Sequence, residues 1–161
     1  LGDVYKRQDM DGIDYKICRT QQRLYEYAAR HGYEIEQFSN FFLSSDFCSR
    51  AFDVLYSRFQ LETPVECMDF ILEEADDKLK ENAVKKADDE EADVAGFIGL
   101  IYRMLYFITP YTSKELCEKV PYSTVKKFYS AYGQETENYI AEDICINLHL
   151  NYDSQKVELK V

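Results

Sequence analysis

A chain of 161 residues can bury one hydrophobic core, or two small helical units sharing one, without disulfide or metal staples. Its composition, 46% hydrophobic and 30% charged, is that of a globular protein, and no apolar run approaches the roughly 20 residues of a membrane-spanning helix. A net charge of −11 repels nucleic acid unless the charges are strongly segregated.

The opening string Leu1-Gly2-Asp3-Val4-Tyr5-Lys6-Arg7-Gln8 resembles translated sequencing-adaptor read-through, which predicts a non-native leader over residues 1–9 and a natural start at Met10. No basic region followed by an apolar stretch and a small-residue cleavage site is present. Five cysteines (Cys18, Cys48, Cys67, Cys117, Cys145) stand at wide, unequal spacings with no C-x-x-C pair, the pattern of a reducing compartment, so a cytoplasmic protein is expected. Each lies among apolar residues and reads as a small buried hydrophobe.

Helical periodicity dominates the chain. Ile17, Leu24 and Ala28 mark the face of a first helix that Gly32 should close, and Ile35, Phe38 and Phe42 mark a short second one. Ser44 or Ser45 can cap a third helix, in which Cys48, Phe52, Leu55 and Phe59 recur as one core stripe. Thr63-Pro64-Val65-Glu66 combines a capping threonine, a proline suited to the first helical position and a returning glutamate. The helix it opens should bury Val65, Met68, Leu72, Ala75 and Leu79, with Glu74-Lys78, Asp76-Lys80 and Glu81-Lys85 pairs on its wet side.

From Glu73 to Asp93 ten carboxylates face four lysines, a net of −6, and this run reads as a solvated boundary. Asp93 should then cap a helix whose Val94, Phe97, Ile98, Ile101, Leu105 and Ile108 form a wide apolar stripe, with Gly96 and Gly99 admitting a close neighbour. Pro110 stops it. Thr112-Ser113-Lys114-Glu115 is a second capping box, Pro121 separates the next helix with Val125, Phe128 and Tyr132, and Gly133 suits its exit. Thr136 should open a final helix with Ile140, Ile144 and Leu148, and Val157, Leu159 and Val161 alternate in a tail that is expected to fray.

The expected fold is therefore all-α, a compact bundle of about seven short helices or two helical halves packed together. Its divisions are an N-terminal half over 10–80, an acidic charged linker over 81–92, a C-terminal half over 93–150 and a tail over 151–161.

Motifs that carry chemistry are scarce. The two histidines, His31 and His149, lie far apart, and no His or Cys pair has the spacing of two metal ligands on one helix face. Neither the acidic run nor Asp9-Met10-Asp11-Gly12 reproduces an EF-hand loop. Glycine-rich phosphate loops, G-x-S-x-G and H-E-x-x-H are absent from the sequence, so no catalytic, cofactor or metal residue is assigned.

Two binding patterns remain. Ser113 to Phe128 resembles a helix-turn-helix, in which Ser123, Thr124, Lys126 and Lys127 would be the DNA-reading side chains, although the turn is short and a proline replaces the usual glycine. The second pattern is aromatic: 14 tyrosines and 10 phenylalanines are more than one small core requires. Tyr25, Tyr27, Tyr56, Tyr102, Tyr106, Tyr129 and Tyr132 flank the apolar stripes, and Arg50, Arg58 and Arg103 lie on the same helices. Tyrosine and arginine are favoured where a surface desolvates against a partner. Tyr102, Arg103, Tyr106, Tyr129, Arg50 and Arg58 are accordingly the candidate partner-binding residues.

Three segments, FCSRAFDVLYSRFQLETPVE from Phe47 to Glu66, GLIYRMLYFITPYTSKEL from Gly99 to Leu116, and the Tyr129 to Asp143 region, are similar to small helical proteins of Gram-positive gut bacteria. Some of those resemble the antitoxin-side partners encoded beside ADP-ribosyltransferase-like toxins. The resemblance covers about half the chain through structural motifs, and it implies a non-enzymatic, protein-binding role against a basic toxin or defence component.

Overall fold

The computed structural model describes residues 10, 12–82 and 85–157. The proposed leader, Leu159 and Val161 lie outside the described residues. Among the described residues eight α-helices follow one another: α1 Gly12–Arg30, α2 Ile35–Ser44, α3 Asp46–Ala51, α4 Pro64–Ala75, α5 Asp89–Ile108, α6 Ser113–Lys119, α7 Tyr122–Lys127 and α8 Glu137–Asn147. Short 3-10 turns cover Arg58–Leu61, Phe128–Ala131 and Ser154–Lys156. The protein is all-α, and among the described residues the only β-type pairing is an isolated bridge between Tyr132 and Glu135.

The central element is α5, buried on every side from Ala95 to Ile108, and its largest interface is with α1. The two glycines of α5 explain how close that approach is. A Cβ on Gly99 would lie 2.7 Å from Cγ of Tyr25 and 2.8 Å from the Gln21 carbonyl oxygen, and one on Gly96 would strike the Glu26 side chain. Gln21 Nε2 donates to the Gly99 carbonyl at 3.0 Å, fastening the crossing with a polar bond. One continuous core results, in which Tyr25 meets Phe38 and Phe42 edge-on at 5.2 and 6.0 Å, and Phe42 meets Phe52 at 5.4 Å.

Several helix ends follow local chemistry. Gly32 leaves α1 with a φ of 89°, Ser45 Oγ accepts from the Cys48 amide at 3.0 Å, and Thr112 and Glu115 form the reciprocal capping box at the start of α6. Thr109 ends α5 just before Pro110.

Other ends correct the sequence reading. The α5 cap is Asp88, whose carboxylate accepts from the Glu91 amide at 2.8 Å, so residues 89–92 of the acidic run belong to the central helix and Asp93 sits in its second turn. Helix α3 stops at Ala51 instead of running through Phe59. A second capping box, Ser57 with Gln60, opens a new 3-10 turn there and breaks the supposed stripe. Thr63 precedes α4 but makes no side-chain cap bond, and α4 ends at Ala75, where Asp76 takes a positive φ of 55°. The proposed Glu74-Lys78 pair therefore has no helix to sit on. Glu74 instead accepts from the Asp46 and Phe47 amides at 2.9 and 2.8 Å and caps α3 from a distance in sequence. Gly133 has a φ of 98° but follows the 3-10 turn, so it shapes the connection to α8 and not the end of α7.

Candidate interaction surface

The three residues at the centre of the sequence-based site belong to the core. Arg103 is 0% exposed, Tyr102 2% and Tyr106 5%. A helix with apolar residues on every face has no flank to offer a partner, and polar side chains on it must find partners inside. The Tyr102 hydroxyl donates to the Val120 carbonyl at 2.6 Å, tying α5 to the end of α6.

Arg103 is the hub of a polar clasp. Its Nη1 donates to Asp53 Oδ1 at 2.8 Å, its Nη2 to Ser113 Oγ at 2.9 Å and to Cys48 Sγ at 3.4 Å, and its Nε to Gln21 Oε1 at 2.7 Å. Asp53 also accepts from the Ser113 hydroxyl at 2.5 Å and from the Ser113 amide at 2.7 Å. The guanidinium lies 4.6 Å from the Tyr106 ring centre and 5.4 Å from that of Phe52. Burial is the strongest single influence and opposes its charge, but the Asp53 carboxylate together with Cys48 and Tyr106 holds the Arg103 pKa above its ordinary value. Five segments meet at this clasp: α1, α3, the Asp53 loop, α5 and α6. Among the described residues no buried side-chain nitrogen or oxygen lacks a partner, which is the satisfied geometry that makes a buried polar network rigid.

Four of the five thiols share this interior character, while Cys117, expected to be buried, is half-buried. Burial pushes Cys48, Cys67 and Cys145 up to about 12, with Asp53 adding to the effect at Cys48. A thiol needs an ionised form near neutrality to act as a nucleophile or a metal ligand, and these are held the other way. His31 stacks on Tyr27 at 3.8 Å, with its Nδ1 2.8 Å from the Tyr27 carbonyl at the end of α1. Among the described residues no three His, Cys, Asp or Glu side chains are grouped to hold a metal ion.

The helix-turn-helix candidates fall on α7 and its approach. Ser123, Lys126 and Lys127 are exposed and Thr124 is half-buried. The helix has six residues and passes into a 3-10 turn at Phe128, too short to lay several side chains along a groove. Lys126 borders a cleft of about 730 Å³ between α1, α2, α5 and α7, where Glu34, Asp88, Glu90 and Glu91 also stand. Tyr129 is half-buried and packs edge-on against Phe97 at 5.5 Å.

Arg50 and Arg58 are exposed, and they lie in a stretch where the sequence reading put Leu55 and Val65 in the core. Eight large hydrophobic side chains are exposed among the described residues, and five of them fall within residues 55–70: Leu55, Tyr56, Leu61, Val65 and Phe70. Tyr56 is 67% exposed and Leu61 59%. One of them, Phe70, joins Phe47 and Phe59 in an aromatic cluster with ring centres 5.0 to 5.8 Å apart, and the Arg58 guanidinium lies 4.5 Å from the Phe59 ring centre. Such clustering of exposed apolar groups marks interaction surfaces far more than singly scattered ones do.

The outer face of α4 alternates these apolar groups with charge. At about 100° per residue, taking Val65 as zero, Asp69 stands near 40°, Glu73 near 80°, Glu66 near 100° and Phe70 near 140°. The inward residues Cys67, Met68, Ile71 and Ala75 occupy the opposite arc. Three exposed carboxylates thus form a strip between two exposed apolar edges. A hydrogen bond with Glu62, helped by burial and the Glu62 and Asp69 charges, raises the Glu66 pKa despite nearby Arg58. Sequence reasoning named Tyr56, Arg50 and Arg58 but put Leu55 and Val65 in the core, because it extended α3 through Phe59 and gave α4 the wrong inward edge. The Ser57-x-x-Gln60 capping signature and the polar Asp53 inside the supposed stripe were the signals available. Comparison with protein-family models, curated proteins and solved structures found no match.

Proposed function

We propose that this chain works by binding another protein, as a non-enzymatic, cytoplasmic inhibitor or antitoxin-like partner of a basic toxin or defence component. The observation that carries the reading is the clustering of Leu55, Tyr56, Leu61, Val65 and Phe70 on one exposed stretch beside Arg50 and Arg58. Large apolar and aromatic side chains gain by leaving water, and arginine adds directional bonds at the rim of such a patch. The net charge of −11 favours encounter with a basic partner. The buried, high-pKa thiols and the fully satisfied Arg103 clasp favour this over a catalytic reading.

The test is co-purification with the products of neighbouring genes in the native operon, using wild type and a Val65→Asp/Phe70→Asp variant that retains its helical circular dichroism. Co-elution with a neighbour that the variant abolishes is the expected result. Elution alone from every neighbour refutes the reading. Retention of duplex DNA at low salt, lost on Lys126→Ala/Lys127→Ala, would establish the helix-turn-helix alternative instead.

A further inference from the structure

The α4 face specifies more than an apolar partner. Its exposed arc carries Asp69, Glu73 and Glu66 between Val65 on one side and Phe70 on the other, with the half-buried Glu62 beside Glu66 at the N-terminal end. A purely apolar occupant would strip water from three carboxylates and return nothing, which costs more than the apolar contact gains. A small cation would satisfy the carboxylates and leave Val65 and Phe70 wet. Lysine and arginine side chains meet both demands, because the aliphatic stem lies on apolar surface while the charged head reaches the carboxylate. Arginine can also stack on an exposed phenylalanine ring, as Arg58 already does on Phe59 within this chain.

A second copy of this chain is a poor occupant. Two α4 faces brought together about a twofold axis would set their carboxylate strips against each other, and the crowding is already felt in one copy, where Glu62 and Asp69 contribute to the raised Glu66 pKa. Spacing narrows the partner further. Glu66 and Glu73 are two helical turns apart, about 10 Å along the axis, with Asp69 between them. A helix lying alongside α4 with Lys or Arg at positions i, i+4 and i+7 repeats that rise and keeps its cations over the strip.

Resting on the protein-binding reading above, we infer that the occupant of the α4 face is a basic amphipathic helix of the partner protein, its Lys or Arg row seated on Glu66, Asp69 and Glu73 and its apolar groups on Val65 and Phe70. The probe is a fluorescein-labelled synthetic amphipathic helix with lysine at i, i+4 and i+7 flanked by leucine, alongside the same peptide with glutamate in place of lysine. Fluorescence anisotropy against the full chain should give binding of the lysine peptide only, weakened in about 0.5 M salt. The Glu66→Lys/Glu73→Lys variant should raise the Kd for the lysine peptide by about tenfold or more and gain binding of the glutamate peptide.

Equal binding of the two peptides, or a Kd for the lysine peptide that the charge reversal changes by less than about twofold, overturns the inference. So does a dimer in sedimentation that Val65→Asp converts to monomer. The native-operon experiment separates the two levels. If Val65→Asp/Phe70→Asp abolishes partner co-elution and Glu66→Lys/Glu73→Lys does not, protein binding stands and the basic helix falls; if neither affects it, the surface itself is wrong.

Discussion

Replacing Asp53 with alanine tests whether the buried clasp holds the fold together. The substitution removes the carboxylate paired with Arg103 at 2.8 Å and the acceptor of both the Ser113 hydroxyl and the Ser113 amide. Arg103 remains 0% exposed, so its charge loses its counter-ion where water cannot replace it. Breaking a buried ion pair from one side costs about 3–5 kcal/mol. The Asp53 side chain is 9% exposed, which lets some water in and places the expected loss near the lower end, about 3 kcal/mol. For a domain of this size that is a fall in Tm of about 6–12 °C and a large share of a total stability of about 5–15 kcal/mol. The chain has no tryptophan, so urea unfolding is best followed by circular dichroism of the helices, with tyrosine fluorescence as the second probe. The double variant Asp53→Ala/Arg103→Met removes the stranded charge and should recover part of the loss, giving a coupling energy of more than about 1 kcal/mol. A loss below about 1 kcal/mol for Asp53→Ala, or strict additivity in the cycle, refutes the claim that the pair is coupled and buried.

Three further outcomes follow from the same geometry. Gly99→Ala should destabilise by about 1–3 kcal/mol in the same assay although alanine is the better helix former, because the new Cβ meets the Gln21 backbone and the Tyr25 ring at 2.8 and 2.7 Å. Asp76→Gly should stabilise by about 1 kcal/mol, since Asp76 ends α4 with φ 55° and ψ −115°, a region glycine enters without strain; an unchanged urea midpoint counts against that strain. Alkaline titration should unfold the protein early. Cys48, Cys67 and Cys145 are held up to about 12 in the fold against an ordinary 9.0, and Tyr106 and Tyr122 up to about 12 against 10.0. Above pH 9 the unfolded chain releases protons that the native state keeps, so stability falls as pH rises from about 9 towards 12, by up to about 1.4 kcal/mol per thiol for each pH unit. A urea midpoint flat between pH 8 and 11 would contradict the burial of these groups.

Several helix boundaries were legible because they depend on chemistry within one turn. Ser45, Thr112 with Glu115, Pro110 and Gly32 each act on neighbouring amides, carbonyls or backbone angles, and the structure uses them as the local rules require. The close approach at Gly96 and Gly99 was legible too, since a missing Cβ on a strongly apolar helix invites a neighbour. The α4 boundary was half legible: Pro64 does open the helix, but Thr63 makes no cap bond, and the Glu74 carboxylate expected to pair with Lys78 is taken by the amides of α3.

The candidate site was only partly legible, through Tyr56, Arg50 and Arg58, for a related reason. Periodicity reports that an apolar residue can face a core, not that a core faces it. Leu55 and Val65 fitted core spacings, yet Leu55 lies beyond the end of α3, and α4 turned its Cys67, Met68 and Ile71 inward instead of Val65. Arg103 reversed in the opposite direction. Charge and length suggest a surface side chain, and only the convergence of Gln21, Asp53, Cys48 and Ser113, drawn from four other parts of the chain, makes its burial tolerable. The sequence alone therefore determined the helical class, the caps at Ser45 and Thr112 and the central place of α5, because these follow from local hydrogen bonding and a helix too apolar to face water. Tertiary structure decided which tyrosines and arginines were inside and which face was left exposed, because burial is set by partners distant along the chain.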